Sequence, residues 1–251
     1  MSDPKDVPSG VELITGHVAF IDILGFRAIV SRPDVSDKLR EYAEAVGAAA
    51  GAADRKGVEY IVFSDTIVMY DGVRDNEMDG ILMSCSVLFE KLLKAGFPFR
   101  GCISYGQFCR HKGRASKGTL VAGEPIIEAF GYEGRQNWIG IMLAPSMIRR
   151  HWSNPKANHP FRSPYIWEYS KIPLRGAATT DSHSFGGFAV IPEISSGVKE
   201  NYARIIRELK RLRMLAPDGA SQQKYRNTIE FLRHVKCQFL KKQRATSARK
   251  P

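Results

Sequence analysis

His17-Val-Ala-Phe-Ile-Asp-Ile-Leu24 decides the fold, because it is an apolar, β-branched run that contains a single acidic residue. A run of this kind, stopped by Gly25, predicts a strand that is mostly buried in a sheet. An ionised carboxylate within such a strand is costly unless a cation or hydrogen-bond donors compensate it. The segment therefore predicts a central strand and makes Asp22 the first candidate functional residue.

The segments that follow alternate between helical and strand patterns. Apolar residues recur every three or four positions over 35–53, which predicts a helix. Residues 60–70 hold two apolar runs joined at Ser64-Asp65, which predicts a hairpin with Asp65 at its bend. A second helical pattern covers 78–95, and 99–108 returns as a strand. The resulting order, β-α-β-β-α-β, predicts a ferredoxin-like α+β fold with helices on one face of an antiparallel sheet and the other face free.

The rest of the chain adds elements to this ferredoxin-like core. We expect a polar leader over 1–15 and one domain with additional strands over 16–195. Two basic amphipathic helices are predicted over 196–240, where their apolar stripes either cover the domain or form dimer contacts. The final stretch, 241–251, has the composition of a disordered basic tail.

The formal net charge of +11 is concentrated at one end of the chain. Residues 198–251 hold 15 Lys or Arg against 4 Asp or Glu, so the preceding residues balance to zero. The excess therefore says nothing about the chemistry of the main domain, and we do not expect nucleic acid as a partner. The cysteines form no CxxC pair, no apolar run is long enough to cross a membrane, and the N-terminus is polar. These features predict a cytoplasmic protein without a membrane span or signal peptide.

Asp22 and Asp65 form a candidate metal site. The predicted order places the first strand beside the hairpin, so both carboxylates converge at one end of the sheet. Hard oxygen ligands of this kind bind Mg²⁺ or Mn²⁺, which phosphoryl transfer requires for charge neutralisation. A second interpretation of Asp22 is a hydrogen bond to turn amides after Leu24. The glycine turn at Gly25 also offers backbone N–H groups to phosphate oxygens.

Three segments resemble class III adenylate and guanylate cyclases. Phe20-Ile-Asp-Ile-Leu-Gly-Phe26 is similar to the F-x-D-I-x-G-F segment of that family, and Phe63-Ser-Asp65 stands where the family has its second metal aspartate. Arg100-Gly-Cys-Ile-Ser-Tyr-Gly106 resembles the R-x-G-I-x-x-G strand. The three segments occur in the family's order within residues 18–143.

The resemblance implies a catalytic site with two metal ions. Asp22 and Asp65, together with the carbonyl of Ile23, would hold two Mn²⁺ or Mg²⁺ ions. Arg100 would be a catalytic contact to the phosphates, although without the two aspartates it is an ordinary strand-edge charge. Nucleotide contacts are implied at Phe20, Ile23, Gly25, Phe26 and Arg100.

The chain departs from purine cyclases where they recognise the base and the transition state. Ile61 and Leu120 occupy the positions of the polar base-reading side chains. Ile127 stands in place of the family's asparagine and Gly131 in place of its transition-state arginine. The site is therefore either inactive or rebuilt.

With these departures, the chain resembles the pyrimidine cyclases of bacterial Pycsar anti-phage systems. That resemblance implies conversion of UTP or CTP to the cyclic nucleotide, with UTP preferred, and a separate effector protein that reads the product. It also implies a homodimer with composite active sites. Tyr60 and Phe63 are candidates for stacking on the base, or they belong to the core.

Several residues are candidates to replace the missing arginine. Arg135 and Asn137 lie near the expected site, and residues 110–118 form a predicted basic loop that either folds over the triphosphate or is a solvated hairpin. The candidates in that loop are Arg110, His111, Lys112, Arg114 and Lys117.

Two rival functions remain open. An RNA-binding module uses the same β-α-β-β-α-β order, but the chain lacks the aromatic run that such modules place on their third strand. An aspartate on the sheet face would also repel a nucleic-acid backbone. The second rival is a catalytically dead cyclase homologue that senses nucleotides.

Overall fold

One mixed sheet forms the centre of the protein. The computed structural model describes residues 11–54, 56–72, 78–112, 119–152, 163–175, 187–192 and 198–247. The strands in these residues are β1 (Val11–Ile23), β2 (Glu59–Phe63), β3 (Thr66–Gly72), β4 (Phe99–Lys112), β5 (Thr119–Gly123), β6 (Gly140–Leu143), β7 (Ile166–Glu168) and β8 (Phe188–Val190). Their order across the sheet is β2-β3-β1-β4-β6-β8-β7, and β5 pairs with β4 outside this path.

Helices pack on both faces of the sheet. In the described part of the chain they are α1 (Phe26–Val30), α2 (Val35–Asp54), α3 (Asp79–Lys94), α4 (Glu124–Arg135), α5 (Pro145–Trp152), α6 (Val198–Leu215) and α7 (Gly219–Ser247). The α+β prediction is therefore confirmed.

The ferredoxin-like core has the predicted element order. Strands β2, β3, β1 and β4 are antiparallel neighbours, with β1 between β3 and β4. Ala19, Ile21 and Ile23 of β1 are buried together with the apolar residues of α2 and α3. Because alternate residues of a strand point to opposite faces, Val18, Phe20 and Asp22 lie on the other face.

The second face is not free, contrary to the prediction. Helix α4 connects β5 to β6, and β6 runs parallel to β4. The hydroxyl of Ser104 in β4 donates to the carbonyl of Pro125 in α4 at 2.5 Å. The rings of Phe20 and Phe130 meet edge to face with centroids 5.3 Å apart. This helix therefore covers part of the sheet face that carries Asp22.

Three predicted boundaries are corrected by the structure. β1 begins at Val11, so residues 11–15 belong to a strand rather than to the leader. β4 continues to Lys112, so the basic loop begins later than predicted. Helix α7 extends to Ser247, past the predicted start of the tail, because its helical pattern is not interrupted at residue 240. Residues 1–10, 113–118 and 248–251 lie outside the described residues.

The C-terminal helices pack on their own chain. Tyr202, Ile205 and Leu209 of α6 are fully buried in the core, as are Phe231 and Leu232 of α7. Their apolar stripes therefore cover the sheet and its flanking helices, which is the first of the two predicted roles. Among the described residues, none of the helices has the length and apolar content needed to cross a bilayer.

Candidate active site

Asp22 and Asp65 are held at the same end of the sheet. Asp22 lies opposite Thr66 in the β1–β3 pairing, and Asp65 occupies the bend before Thr66. The amide of Ile23 donates to the carbonyl of Asp65 at 2.9 Å, which joins the end of β1 to the bend. The two carboxylates therefore belong to one site.

The hairpin bend has an unusual conformation that helix α2 supports. Ser64 has a φ of 57°, in the left-handed region that a residue with a side chain rarely adopts. The hydroxyl of Tyr42 in α2 donates to the carbonyl of Ser64 at 3.1 Å. Burial, with a further contribution from Asp65, raises the pKa of Tyr42 to about 12. Tyr42 thus remains a hydrogen-bond donor that positions the bend and Asp65.

The Asp22 carboxylate is in an unfavourable environment for a negative charge. Burial raises its pKa, and the nearby charge of Asp65 raises it further, whereas Arg100 and Lys224 lower it. A carboxylate whose ionised form is disfavoured by burial and by a second carboxylate is a site where a divalent cation is favourable.

The alternative interpretation of Asp22, a hydrogen bond to the turn after Leu24, is not what the structure shows. The amide of Leu24 donates to the carbonyl of Pro98 at 2.7 Å. Within the described residues, no turn amide donates to the Asp22 carboxylate. The Asp22 side chain is 29% exposed, so solvent and the nearby Arg100 compensate its charge.

Arg100 is the cation next to Asp22. It lies directly opposite Asp22 in the β1–β4 pairing, with 3.9 Å between its Nη2 and the Asp22 Oδ2. Its Nε lies 2.8 Å from the Oε1 of Glu133 in α4, whose side chain is only 5% exposed. Burial raises the pKa of Glu133, and Arg100 opposes that shift. Glu133 thus contacts the Nε of Arg100, the Nη1 donates to the carbonyls of Gly134 and Gln136 at 3.4 Å, and the Nη2 is the nitrogen nearest Asp22.

The turn after β1 brings backbone amides to the same end of the sheet. Gly25 adopts a φ of 70°, which glycine accepts without strain, and it precedes helix α1. The first bond of that helix is from the amide of Ala28 to the carbonyl of Gly25 at 3.0 Å. The amides of Gly25 and Phe26 precede this bond, and the Phe26 ring is buried against Tyr42 with centroids 5.4 Å apart.

The oxygen donors of this site would suit a divalent metal ion that also binds water or substrate oxygens. No cluster of three or more His, Cys, Asp or Glu side chains suited to a metal occurs in the described ranges. Asp22, Asp65 and the carbonyl of Ile23 supply fewer ligands than an octahedral ion requires. Mg²⁺ is commonly bound by one or two carboxylates together with water and substrate phosphates.

Solved structures of several cyclase domains share this arrangement of elements. The catalytic core of a rhodopsin-guanylyl cyclase with converted specificity, in complex with ATPαS, is 15% identical with a TM-score of 0.54, over 74% of this chain and 100% of that one. The guanylate cyclase domain of RhGC from Catenaria anguillulae, in complex with GTP, is 15% identical with a TM-score of 0.53, over 72% and 99% of the two chains. A dimeric guanylyl cyclase domain of the RhoGC fusion protein from Blastocladiella emersonii is 15% identical with a TM-score of 0.50, over 72% and 96%.

The chain has a nucleotidyl cyclase fold. Neither a family model nor a curated protein matches its sequence. The likeness therefore concerns the arrangement of the backbone, and any activity has to be argued from the residues of this chain.

The strand pairing shows on which face of the sheet each predicted base contact lies. Phe20, Ile61 and Phe63 lie on the face that carries Asp22, because their cross-strand partners do. Tyr60, whose neighbours in β2 are Glu59 and Ile61, points to the opposite face from both of them. Its side chain is 40% exposed. The structure therefore does not bring Tyr60 to Asp22, and Phe63 is the aromatic residue of β2 that shares its face.

One candidate to replace the missing arginine lies far from Asp22 along β4. Arg110 forms ion pairs with Glu12 and Glu59 near the far end of β4. Ten residues separate it from Arg100, which corresponds to about 33 Å along the strand. The candidates Arg114 and Lys117 lie outside the described residues.

Arg135 and Asn137 are engaged by segments that cover the end of the sheet. The Arg135 guanidinium lies 5.4 Å from the centroid of the Tyr132 ring, and its Nε donates to the carbonyl of Arg175 at 3.5 Å. The carbonyl of Asn137 accepts from the side chain of Asn227 at 2.7 Å.

Sequence reasoning missed Glu133 and Lys224, which both interact with Arg100. A signal for Glu133 existed, because it follows the buried Ala129 by four residues and so lies on the buried side of α4. Lys224 had no comparable signal. It is one of many basic residues in the C-terminal segment, and only the packing of α7 brings it near the site.

Proposed function

We propose that this protein is a metal-dependent pyrimidine nucleotide cyclase that converts UTP, or CTP, to the 3′,5′-cyclic nucleotide and pyrophosphate. The observation that carries the proposal is the convergence of Asp22 and Asp65, with Arg100 opposite Asp22, on one face of a cyclase-type sheet.

In the proposed reaction, the ribose 3′-hydroxyl oxygen attacks the α-phosphorus and the bond to the β-phosphate oxygen breaks. The hydroxyl proton passes to solvent and pyrophosphate leaves. Asp22, Asp65 and the carbonyl of Ile23 would hold Mn²⁺ or Mg²⁺. Bound divalent ions neutralise the triphosphate and lower the pKa of the attacking hydroxyl.

The remaining site residues contact the phosphates. Arg100, held by Glu133, presents its guanidinium to a phosphate oxygen, where a charge-assisted hydrogen bond is strong. The amides of Gly25 and Phe26 face the same end of the sheet and are donors to phosphate oxygens. Phe20 supports this face through its contact with Phe130.

An apolar residue at the first base-reading position argues against a purine site of the known kind. Ile61 lies on the Asp22 face and packs in a small apolar cluster with Val68. Leu120 pairs with His111 near the far end of β4, so within one chain it lies as far from Asp22 as Arg110 does. Ile61 cannot hydrogen-bond to the polar edge of a purine, and a site specific for purines depends on such bonds. Phe63 is the stacking candidate, and we retain UTP as the preferred substrate.

A homodimer with composite active sites is part of the proposal. Phe63, Ile127 and Phe130 are 80%, 73% and 59% exposed on the site side of the sheet or on α4. Large apolar side chains as exposed as these are candidates for an interaction surface. From the resemblance to Pycsar cyclases, we further propose that a separate effector protein reads the cyclic product in anti-phage defence.

The test is an incubation of the purified protein with Mn²⁺ and each of the four ribonucleoside triphosphates, with products separated by mass. We expect cyclic UMP or cyclic CMP to form, and Asp22→Ala and Asp65→Ala each to abolish it. Asp54→Ala, at the exposed end of α2, is the matched control and should retain activity. Only linear hydrolysis products, or no turnover of any triphosphate, would reject the cyclase assignment.

A second candidate is a nucleotide sensor without turnover. Ile127 and Gly131 provide no polar side chain on α4 for a transition state, and this observation favours it. Binding of a nucleoside triphosphate that depends on Asp22 and Asp65, with no product, would identify a sensor.

A further inference from the structure

Helix α7 is anchored to the end of the sheet beside Arg100. The Thr228 hydroxyl accepts from the amide of Ile139 at 2.8 Å and lies 2.9 Å from the Ile139 carbonyl. The side chain of Asn227 donates to the carbonyl of Asn137 at 2.7 Å. These bonds attach α7 to the residues that lead into β6. Gly140 of β6 is the direct neighbour of Arg100 in the β4–β6 pairing.

Lys224 lies one turn before Thr228, so both residues are on the same side of α7. It is half-buried, and its ammonium group interacts with the charges of Arg100, Arg175 and Glu133. The Asp22 carboxylate also experiences the charge of Lys224. The helix therefore carries a cation to the edge of the site described above.

The charges around Lys224 are arranged to accept an anion. Burial and the repulsion from Arg100 and Arg175 lower the pKa of Lys224, and Asp218 and Glu133 oppose that shift less strongly. Glu133 already pairs with Arg100 at 2.8 Å. A divalent ion held by Asp22 would remove the compensation that this carboxylate gives the lysine. An added polyanion would relieve this excess of positive charge.

We propose that Lys224 binds the triphosphate of the substrate, so that the C-terminal helix completes the phosphate site beside Arg100. This inference rests on the proposed function. Lysine serves as a compact point charge toward phosphate, whereas arginine supplies a planar pair of donors. In this arrangement Asp22 and Asp65 would hold the divalent ions, and Arg100 and Lys224 would contact oxygens of the triphosphate.

A purely structural role for Lys224 predicts a different effect of its loss. If Lys224 only compensated Glu133, its loss would reduce stability and leave anion affinity unchanged. If it binds phosphate, its loss reduces affinity for any ligand that carries the polyphosphate, including inorganic tripolyphosphate.

The test is calorimetric titration of the full chain with tripolyphosphate in the presence of Mn²⁺. Lys224→Met should weaken binding about tenfold, as expected for one lost ion contact worth about 1.4 kcal/mol. Lys224→Arg should retain most of the affinity. Lys241→Met is the matched control, because Lys241 is exposed on the same helix about 25 Å further along its axis.

Unchanged tripolyphosphate affinity in Lys224→Met would overturn the inference. An equal loss in Lys241→Met would also overturn it, since that result would indicate only the net charge of the helix. If Lys224→Met does not fold, lysine acylation of the wild-type chain decides the question. Tripolyphosphate should protect Lys224 but not Lys241, and absence of protection would overturn the inference.

Failure of this inference is distinguishable from failure of the cyclase proposal. Cyclic product with unchanged tripolyphosphate affinity in Lys224→Met removes the inference and leaves the cyclase. Tripolyphosphate binding through Lys224 without any cyclic product retains the phosphate site and removes the cyclase.

Discussion

The Nε of Arg100 lies 2.8 Å from the Oε1 of Glu133, and this ion pair joins strand β4 to helix α4 directly beside Asp22. It links the cation of the proposed phosphate site to a nearly buried carboxylate. Arg100 and Glu133 are 33 positions apart in the sequence, so the pair depends on the packing of α4 over the sheet.

Glu133→Gln should destabilise the protein, because it removes the charged partner of a guanidinium that is only 15% exposed. We expect the free energy of unfolding to fall by about 2 kcal/mol, the scale of leaving a buried polar group without its partner. Urea denaturation measures it. Glu44→Gln, at an exposed position of α2, is the control and should change stability by no more than about 0.5 kcal/mol. Equal stability of the two variants would contradict the prediction.

Divalent ions should stabilise the fold through Asp22 and Asp65. At a metal concentration of about 100 times Kd, the expected gain is about 2.7 kcal/mol, measured as a rise in Tm over a sample treated with chelator. Asp22→Asn and Asp65→Asn should lose this gain, and Asp54→Asn should keep it. In chelator, Asp65→Asn should be at least as stable as wild type, because Asp65 raises the pKa of Asp22. A full metal response in Asp22→Asn would show that the ions bind elsewhere.

Ile127→Asp should prevent dimer formation and with it cyclase activity. Ile127 is 73% exposed on α4, and an aspartate in an apolar interface leaves an unpaired charge there. Analytical ultracentrifugation measures the oligomeric state. Met214→Asp is the control, since Met214 is 76% exposed near the end of α6. A wild-type monomer, or equal dimerisation of both variants, would reject the proposed interface.

His151 should make stability depend on pH. It is 4% exposed, and burial, assisted by the charges of His17 and Arg150, lowers its pKa from 6.5 to about 4. The folded state therefore holds His151 neutral while the unfolded chain gains a proton below pH 6.5. The stability that this residue contributes is complete above pH 6.5 and is lost as pH falls toward 4, by up to about 3 kcal/mol.

Denaturation of wild type and His151→Gln at pH 7, 6 and 5 tests this dependence. The Nε2 atoms of His151 and His17 are 3.1 Å apart, and His17 Nδ1 lies 2.8 Å from Asp71 Oδ1, so glutamine retains a polar contact in this cluster. We expect the variant to lose less stability than wild type as pH falls. The same pH profile in both proteins would exclude His151 as the cause.

Periodicity and turn signals were sufficient to predict the ferredoxin-like core and the convergence of its two aspartates. β1 through β4 follow the predicted order, and the bend at Ser64 and Asp65 lies where the two apolar runs meet. These features depend on alternation, helical spacing and the chirality of short turns, which neighbouring residues specify. Placement of Arg100 opposite Asp22 then follows from the register of antiparallel strands.

The orientation of Tyr60 and the contacts of the long charged side chains did not follow from the local sequence pattern. Tyr60 faces away from Asp22, Arg110 pairs with Glu12 and Glu59, and Glu133 and Lys224 instead surround Arg100. The physical reason is the reach of these side chains and the sequence distance between their helices and strands. The strand and the two aspartates were predictable from neighbouring residues, whereas the charges that surround them were set by how α4 and α7 pack against the finished sheet.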